Sequence, residues 1–453
     1  MTTYSIIKKS ELESSNRIDA EYYQPKYLYV KNKLFSSPIL GDISKKITDF
    51  GAYSQMNFVE YTKSGIRFLR NQDVGESFIE DIEPIYISHE TYKRLSLKLE
   101  EYDILTPRVG TIGTAAVIFK DYLPASANQN LAQIKPDLTK IDPIYLSVFL
   151  NSRFGHLQFD QFATGNVQPW LNLSQIQSIK IFIPTKNVQD SVKNLALKAL
   201  EERNNSKSLY SQAENLLLDE LKLRDIEKKV ELWNVVNLSE TKEAGRIDSE
   251  YFQPLYEKLI SKIKSKEFQT LENFVKTYST GFPFKSDNYQ EDGIPLIRIN
   301  NIQKGYLDLN NSTYLTEKDY LLSPKDIAKP GDIVLSMSGT IGMTALVPDD
   351  IPKSIINQRI LRITSQNIEK DYLVLLLNSI VGLYQLERIG TGGVQTNISY
   401  KDIKNIFIPT LQKITQQEIS ELVKKSHEAH KKAKELLEEA KHKVEELIEN
   451  NPK

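Results

Sequence analysis

At 453 residues, with 40% hydrophobic and 26% charged residues, the chain is long enough for two or three ordinary globular domains. A formal net charge of −1 lacks the basic surplus of a bulk nucleic-acid binder, although charge segregated by face still leaves room for a basic groove. The absence of cysteine excludes disulfides, thiolate metal sites and a thiolate nucleophile, and makes a reducing compartment the natural setting.

Read from the N-terminus, the first residues lack the apolar stretch of a signal peptide. No apolar run approaches the roughly 18 residues of a membrane span, and 372–377 is among the longest. A cytoplasmic protein without a membrane partner is expected. Arg17-Ile-Asp-Ala-Glu-Tyr-Tyr-Gln-Pro25 comes next. An Arg and an Asp beside aromatics and a proline suit a salt bridge that closes a domain better than a contact with DNA. Short runs rich in Ile, Val, Leu and Phe follow at 66–69, 104–106, 115–119 and 131–134, and predict strands because Gly, Pro and Asn bound them. A helix is predicted from Pro143 through 145–151. After Phe182-Ile-Pro-Thr185 the sequence turns to Glu, Lys, Leu and Ala with almost no breakers. In 188–223, Val192, Leu195, Ala199, Ser206, Leu209, Ala213, Leu216 and Leu223 mark a coiled-coil seam that Glu202 interrupts.

The same order then runs again. Arg246-Ile-Asp-Ser-Glu-Tyr-Phe-Gln-Pro254 repeats the opening, Gly339-Thr-Ile-Gly342 repeats Gly110-Thr-Ile-Gly113, and Asn357-Gln358 repeats Asn128-Gln129. The spacing is 229 residues each time (17 to 246, 110 to 339, 128 to 357). Runs at 295–299, 333–336, 344–347 and 360–363 predict the matching strands, and 372–378 the matching helix. Thr391-Gly-Gly-Val-Gln395 repeats Thr164-Gly-Asn-Val-Gln168, and Phe407-Ile-Pro-Thr410 repeats Phe182-Ile-Pro-Thr185. In 412–449 a second seam runs through Ile419, Leu422, Ser426, Ala429, Ala433, Leu436, Ala440, Val444 and Leu447. The period is far longer than the roughly 20–50 residues of a solenoid unit, so whole domains are duplicated and pseudo-twofold symmetry is expected. An amphipathic helix must bury its stripe, and each long helix offers the other a partner of similar length. The expected fold is α+β: two tandem pseudo-symmetric domains, each with a curved, mostly antiparallel sheet, separated by two long helices in an antiparallel coiled coil. The boundaries are 1–185, 186–228, 229–411 and 412–453.

Several polar positions recur at loops. Arg70-Asn71-Gln72 and Arg298-Ile-Asn300-Asn301 each place an Arg and amides where a strand gives way to a loop. Such side chains suit base readout, Arg bidentate to guanine and Asn or Gln to adenine, or they are ordinary polar strand ends. Arg108 and Thr111, with Ser338 and Thr340, flank the paired glycines, whose free N–H groups can hold a phosphate or simply make a tight turn. Arg108 set against Ser338 is a difference that suits unlike targets. Asn128-Gln129 and Asn357-Gln358-Arg359 are further candidates for DNA contact, or turns whose amides bond local backbone. Gln168 and Gln395 end loops that touch a ligand or the base of the coiled coil.

The tandem Arg-Ile-Asp openings, the paired Gly-Thr-Ile-Gly turns, the Asn-Gln pairs, the Thr-Gly-x-Val-Gln segments and the Phe-Ile-Pro ends leading into long helices resemble the specificity subunits of Type I restriction–modification systems. The resemblance covers nearly the whole chain, and its strength lies in the tandem order rather than in any one motif. It implies two target-recognition domains, each reading one half of a bipartite double-stranded DNA sequence in the major groove. It also implies no catalysis by this chain. Two adenine methyltransferase subunits, which hold S-adenosylmethionine, and for cleavage translocase–nuclease subunits, would be its partners. A related multi-subunit modification system is the nearest alternative.

A self-contained enzyme is disfavoured. The chain has no Asn-Pro-Pro-aromatic motif, no glycine-rich dinucleotide loop and no Walker A sequence. His427-Glu-Ala-His430 spaces its histidines by three, where a zinc helix needs four, and its charged helix face predicts solvated side chains. No cofactor or metal is therefore expected in this chain. A duplicated protein-binding scaffold is the remaining alternative.

Overall fold

The computed structural model describes residues 5–450 apart from 10–11, 13–16, 52, 81–82, 166–167, 227–230, 232, 311 and 392–395. The chain divides into two compact units, residues 1–203 with 431–453, and residues 204–430.

In the first unit five strands form a sheet in the order Ser44–Asp49, Leu131–Pro136, Ile104–Pro107, Ala116–Val117 and Ser77–Phe78, antiparallel except for the last pair. A second sheet orders Tyr61–Thr62, Tyr86–Ile87, Ile66–Leu69 and Ala125–Ala127, the last two parallel. The second unit repeats this plan. One sheet runs Val275–Ser279, Ile360–Ser365, Ile333–Ser336, Thr344–Leu346, all antiparallel. The other runs Thr313–Leu315, Ile294–Ile297, Ser354–Ile356, Ile327–Ala328, with the central pair parallel.

Each domain thus holds two main sheets where the sequence predicts one. The cause is burial on both faces. Side chains alternate across a strand. Ile104, Val117 and Ile134 pack toward the helices, while Leu105, Ala116 and Leu131 pack toward the second sheet. In the second unit Ile333 and Leu335 face one way and Val334 the other. A strand buried on both sides reads as a continuous apolar run, so the sequence carries no sign of which face meets which neighbour.

The repeated openings are helix starts. Pro25 and Pro254 are the first residues of Pro25–Lys33 and Pro254–Lys264, where a missing N–H costs nothing. Arg17 and Asp19 form a fork, Nε to Oδ1 at 2.8 Å and Nη2 to Oδ2 at 2.5 Å. Arg246 and Asp248 form the same fork at 2.8 and 2.6 Å. Arg246 Nη1 also donates to the carbonyls of Arg388, Ile389 and Gly390, where the helix Ile380–Ile389 ends. A cation at a helix C-terminus is favourable, so the motif ties the start of the domain to its interior.

Helices Pro143–Asn151 and Lys370–Asn378 are buried almost throughout. Each ends in an asparagine that clamps one residue of the main sheet. Asn151 accepts from Ala115 N at 3.1 Å and donates to Ala115 O at 2.7 Å. Asn378 does the same with Thr344, at 3.1 and 2.7 Å.

The two long helices are Lys186–Leu221 and Lys413–Glu449. They pair antiparallel. In the first unit Lys443 Nζ donates to Ser191 Oγ at 2.6 Å and Lys432 pairs with Glu202, so positions rise on one helix as they fall on the other. In the second unit buried Ser206 and Ser426 bond side chain to side chain at 3.1 Å, and Ser426 Oγ also donates to Ser206 O at 2.8 Å. The predicted seam residues Val192, Ala199, Ser206, Ala213, Ile419, Ser426, Ala429, Ala433, Ala440 and Val444 are all buried. Leu223 is buried as well, Leu209 and Leu436 are half-buried, and at four positions the buried residue is one step on: Ala196 in place of Leu195, Leu217 of Leu216, Val423 of Leu422 and Ile448 of Leu447. Each helix covers part of a globular core as well as its partner, which widens the stripe beyond a strict seam.

A short loop in each unit rests on the helix pair. In the first, Arg203 lies 5.2 Å over the Phe78 ring and pairs with Glu80 at 3.0 Å, and Lys441 pairs with Glu76 at 2.8 Å. In the second, the His430 ring lies tilted against Tyr306 with centroids 4.2 Å apart, and Lys304 pairs with Glu214 at 3.2 Å. The prediction that His427 is solvated is wrong. Its ring is largely buried, a Cβ on Gly305 would lie 3.1 Å from its Nε2, and burial, with His430 adding to it, holds its pKa down at about 4. The charged residues beside it in sequence, Lys424, Lys425 and Glu428, remain exposed. Among the described residues no group of three or more His, Asp or Glu side chains is placed to hold a metal ion, and no helix is long and apolar enough to cross a membrane.

Candidate nucleic-acid interface

The predicted site residues hang on a backbone frame that both units build in the same way. Asn128 N donates to Leu69 O at 2.9 Å, and Asn357 N to Ile297 O at 2.9 Å. Arg108 N donates to Asn130 O at 2.8 Å, and Met337 N to Arg359 O at 2.9 Å. Leu171 N donates to Arg108 O at 2.8 Å, and Ile398 N to Met337 O at 3.0 Å. The frame therefore brings together the end of one parallel strand, the Asn-Gln segment, the Gly-Thr-Ile-Gly turn and the Thr-Gly-x-Val-Gln loop. The loops close through bridges of Thr164 with Trp170 and of Thr391 with Asn397. Gln168 lies exposed on the first. Gln395, on the second, is outside the described residues.

This frame corrects the pairing of the repeats. Arg108 occupies the place of Met337, and Val109 that of Ser338. Arg108 is not a free reader. Its guanidinium pairs with Asp49 and donates to Leu171 O at 3.2 Å, and its side chain is 14% exposed. Met337 at the same place is buried in the core.

A second correction concerns the strand ends. Arg70 and Arg298 both precede a short 3-10 turn, Asn71–Asp73 and Ile299–Asn301, whose last residue accepts a hydrogen bond from the Arg main-chain N–H, at 2.7 and 2.9 Å. Asp73 and Asn301 are therefore capping residues. Asn301 is 1% exposed and spends its amide on Asp308 O at 2.9 Å and Ser312 Oγ at 3.4 Å, so it faces no ligand. Asn71 likewise donates inward, to Val109 O at 2.8 Å. Asn128 accepts from Asn130 N at 3.1 Å, a local amide turn. Gln129 keeps a buried side-chain oxygen without a partner. In the first unit the exposed candidates are Gln72, Thr111 and Gln168.

In the second unit the candidates converge. Arg298, Asn300, Ser338, Thr340, Asn357, Gln358 and Arg359 all line one open pocket of about 760 Å³. Asn300, Thr340, Gln358 and Arg359 are exposed at its mouth, while Ser338 is buried at its wall. Asn357 reaches Tyr289 OH at 3.5 Å and accepts from Gln358 N at 2.9 Å. Arg359 sits at φ 69°, a left-handed position that turns its side chain out of the following strand. Gly339 has φ 70° and nothing within 4 Å of an added Cβ, which leaves backbone N–H groups open to a partner. Gln303, Met343 and Asn397 also line it, with Ile299 and Ile302, and were missed in the sequence. Asn397 lies just beyond the Thr-Gly-x-Val-Gln segment and Gln303 just beyond Asn301, so a wider window around each motif would have included them.

Two arginines, five amides and hydroxyls around one cavity make a surface that donates hydrogen bonds to acceptors and tolerates negative charge. That is the chemistry of base edges and phosphates.

A family model described as the Type I restriction modification DNA specificity domain matches residues 263–441. The match falls on most of the second repeat and most of its long helix, and the first repeat builds the same backbone frame. Over 180 residues the chain is 31% identical to the Type I restriction enzyme MjaVIII specificity subunit of Methanocaldococcus jannaschii, which covers 37% of this chain and 42% of that protein. It is 29% identical over 131 residues to the Type I restriction enzyme EcoBI specificity subunit of Escherichia coli, covering 28% of this chain and 27% of that one. The chain thus spans less than half the length of either relative. Among solved structures, the S subunit of a Type-I restriction-modification system from M. genitalium is similar at a TM-score of 0.41 with 13% identity, over 91% of this chain and 94% of that one.

Proposed function

We propose that this chain is the DNA-specificity subunit of a Type I restriction–modification complex. Each domain reads one half of a bipartite double-stranded target, through the mouth formed by the strand end, the Gly-Thr-Ile-Gly turn and the Asn-Gln segment. The chain performs no chemistry itself. It presents the target to two adenine methyltransferase subunits, which bring S-adenosylmethionine, and to translocase–nuclease subunits where the complex cleaves. It works in the cytoplasm, where that DNA lies. One observation carries the reading: the same three main-chain bonds hold the frame in both units, while side chains on it differ, with Asp73, Arg108 and Asn130 set against Asn301, Met337 and Arg359. A scaffold for two identical protein partners would keep the side chains as well as the frame.

The test is domain exchange. Residues 1–185 are replaced by the equivalent domain of another specificity subunit, and methylated motifs are mapped in a host that carries the partner methyltransferase. One half-site should change and the other should stay. A change in both halves would break the assignment of one domain to one half. Methyl transfer or cleavage by the purified chain alone would show that the catalytic role lies here after all.

A further inference from the structure

The two mouths share a frame, but their arginines are in different states. In the first unit Arg70 is latched. Its Nε lies 3.2 Å from Asp73 Oδ2, its Nη2 lies 3.3 Å from Asp73 Oδ1, and Nη2 also donates to Glu83 O at 2.6 Å. Arg108 is held by Asp49 in the same way. Both cations of that mouth are neutralised, and their donors are largely used.

In the second unit the residue at the place of Asp73 is Asn301. It still caps the main chain, but it carries no charge, and its amide points to Asp308 O. Arg298 consequently has no carboxylate partner among the described residues. Its Nε is buried without an acceptor, and its guanidinium lies 5.9 Å from the Tyr289 ring centroid. Arg298 lines the pocket together with exposed Arg359, and no described lining residue is acidic. A ligand with two acceptors side by side would match the fork of a guanidinium that no carboxylate holds. Guanine presents such a pair, O6 and N7, in the major groove.

We infer that the domains read by different chemistry, with residue 73 and its counterpart 301 as the determinant. The second domain takes a guanine edge on Arg298. The first domain reads its half-site without arginine, through neutral side chains such as Gln72 and Gln168. The inference rests on the proposed function and refines it.

The experiment expresses the full chain with the adenine methyltransferase of its complex in a host free of other adenine methylation, and reads methylated sites by long-read sequencing. Wild type comes first. If it directs methylation to no two-part motif, the proposed function falls, and that result is separate from any variant. Arg298→Ala should then relax one guanine position in one half-site, cutting its preference by about tenfold to a hundredfold, and leave the other half intact. Asn301→Asp, which installs the latch without removing the arginine, should relax the same position. It also serves as the deciding variant if Arg298→Ala lowers the soluble yield. Arg70→Met combined with Asp73→Asn removes both members of the first latch, so no charge is stranded, and should leave the motif unchanged. The inference is overturned if Arg298→Ala lowers methylation equally at all sites, which marks a phosphate contact. It is also overturned if the Arg70→Met/Asp73→Asn pair relaxes a base.

Discussion

Reversing the charge of Glu76 should unseat the first domain's loop from the helix pair. Glu76 Oε2 lies 2.8 Å from Lys441 Nζ, and the Lys441 side chain is only 11% exposed. Lys441 is also held by Glu438 at 2.7 Å. Burial opposes the charge on Lys441, yet the two carboxylates outweigh it and its pKa stands above the usual lysine value. In Glu76→Lys an ammonium would face this ammonium. At that distance and an effective dielectric of about 20, the Coulomb term alone is roughly 6 kcal/mol, an upper bound because the new side chain can swing into solvent. We expect a net loss of about 1–3 kcal/mol, below the roughly 3–5 kcal/mol of a fully buried pair, because Glu76 is half exposed and Lys441 keeps Glu438. Lys441→Glu in the same chain should restore part of it, since the swapped charges attract again, and only part, since the new carboxylate repels Glu438. The coupling energy should exceed about 0.5 kcal/mol. The measure is a double-mutant cycle on local opening of 74–80, read by hydrogen exchange of the full chain, because a chain of two units need not unfold in one step. The matching loop carries the opposite polarity, Lys304 on Glu214, and is wetter, with side chains 45% and 27% exposed. Lys304→Glu should therefore cost less, about 0–1 kcal/mol. Unchanged exchange in Glu76→Lys, or a double variant no better than the sum of the singles, would refute the reasoning.

Asn378→Ala should destabilise the second unit by about 1–3 kcal/mol, because it strands the N–H of buried Thr344 and leaves its C=O with Gly305 N–H alone; a urea unfolding shift below about 0.5 kcal/mol would contradict this. Gly281→Ala should disturb the pocket, since its φ is +77° and a Cβ would lie 1.9 Å from Asn357 O. A lowered thermal midpoint together with a changed half-site motif is expected, and a variant equal to wild type in both would show that the contact gives way freely. His427 is held at about 4, below its usual 6.5, so the folded state disfavours its proton. Stability from the neutral ring is present above about pH 6.5 and is lost as the pH falls toward 4, by on the order of 1–2 kcal/mol at pH 5. His427→Gln should flatten that part of the pH–stability curve, and an unaltered curve would place the titration elsewhere.

Repetition made most of the fold readable before any coordinates. Each strand at 66–69 and 333–336 is found where predicted. The long helices lie within two residues of the predicted 188–223 and 412–449 at every end. The sheet count was not readable, because strands buried on both faces lose the alternation that would show which neighbour lies where. In the site, motif matching found the right neighbourhood but not the right side chains. Asn301 and Asn71 have the chemistry of readers, yet their amides are consumed by backbone carbonyls a few residues away in space. Setting Arg108 against Ser338 is a misalignment by one residue: the 229-residue spacing already puts Arg108 opposite Met337, and the hydrogen-bonded frame agrees. Residue type at a loop gives a capacity to bond, and the fold decides whether that capacity is already used.

The first unit is discontinuous in the chain, since residues 431–453 complete what residues 1–203 begin, whereas residues 204–430 are contiguous. On a ribosome this inverts the order of maturation. The domain made first waits, with the stripe of Val192 and Ala196 uncovered until Ala440, Val444 and Ile448 emerge. The domain made second has every segment of its core in hand before then. Nascent chains interrupted before residue 431 would therefore carry one finished unit and one with exposed apolar surface, the kind of species that chaperones hold.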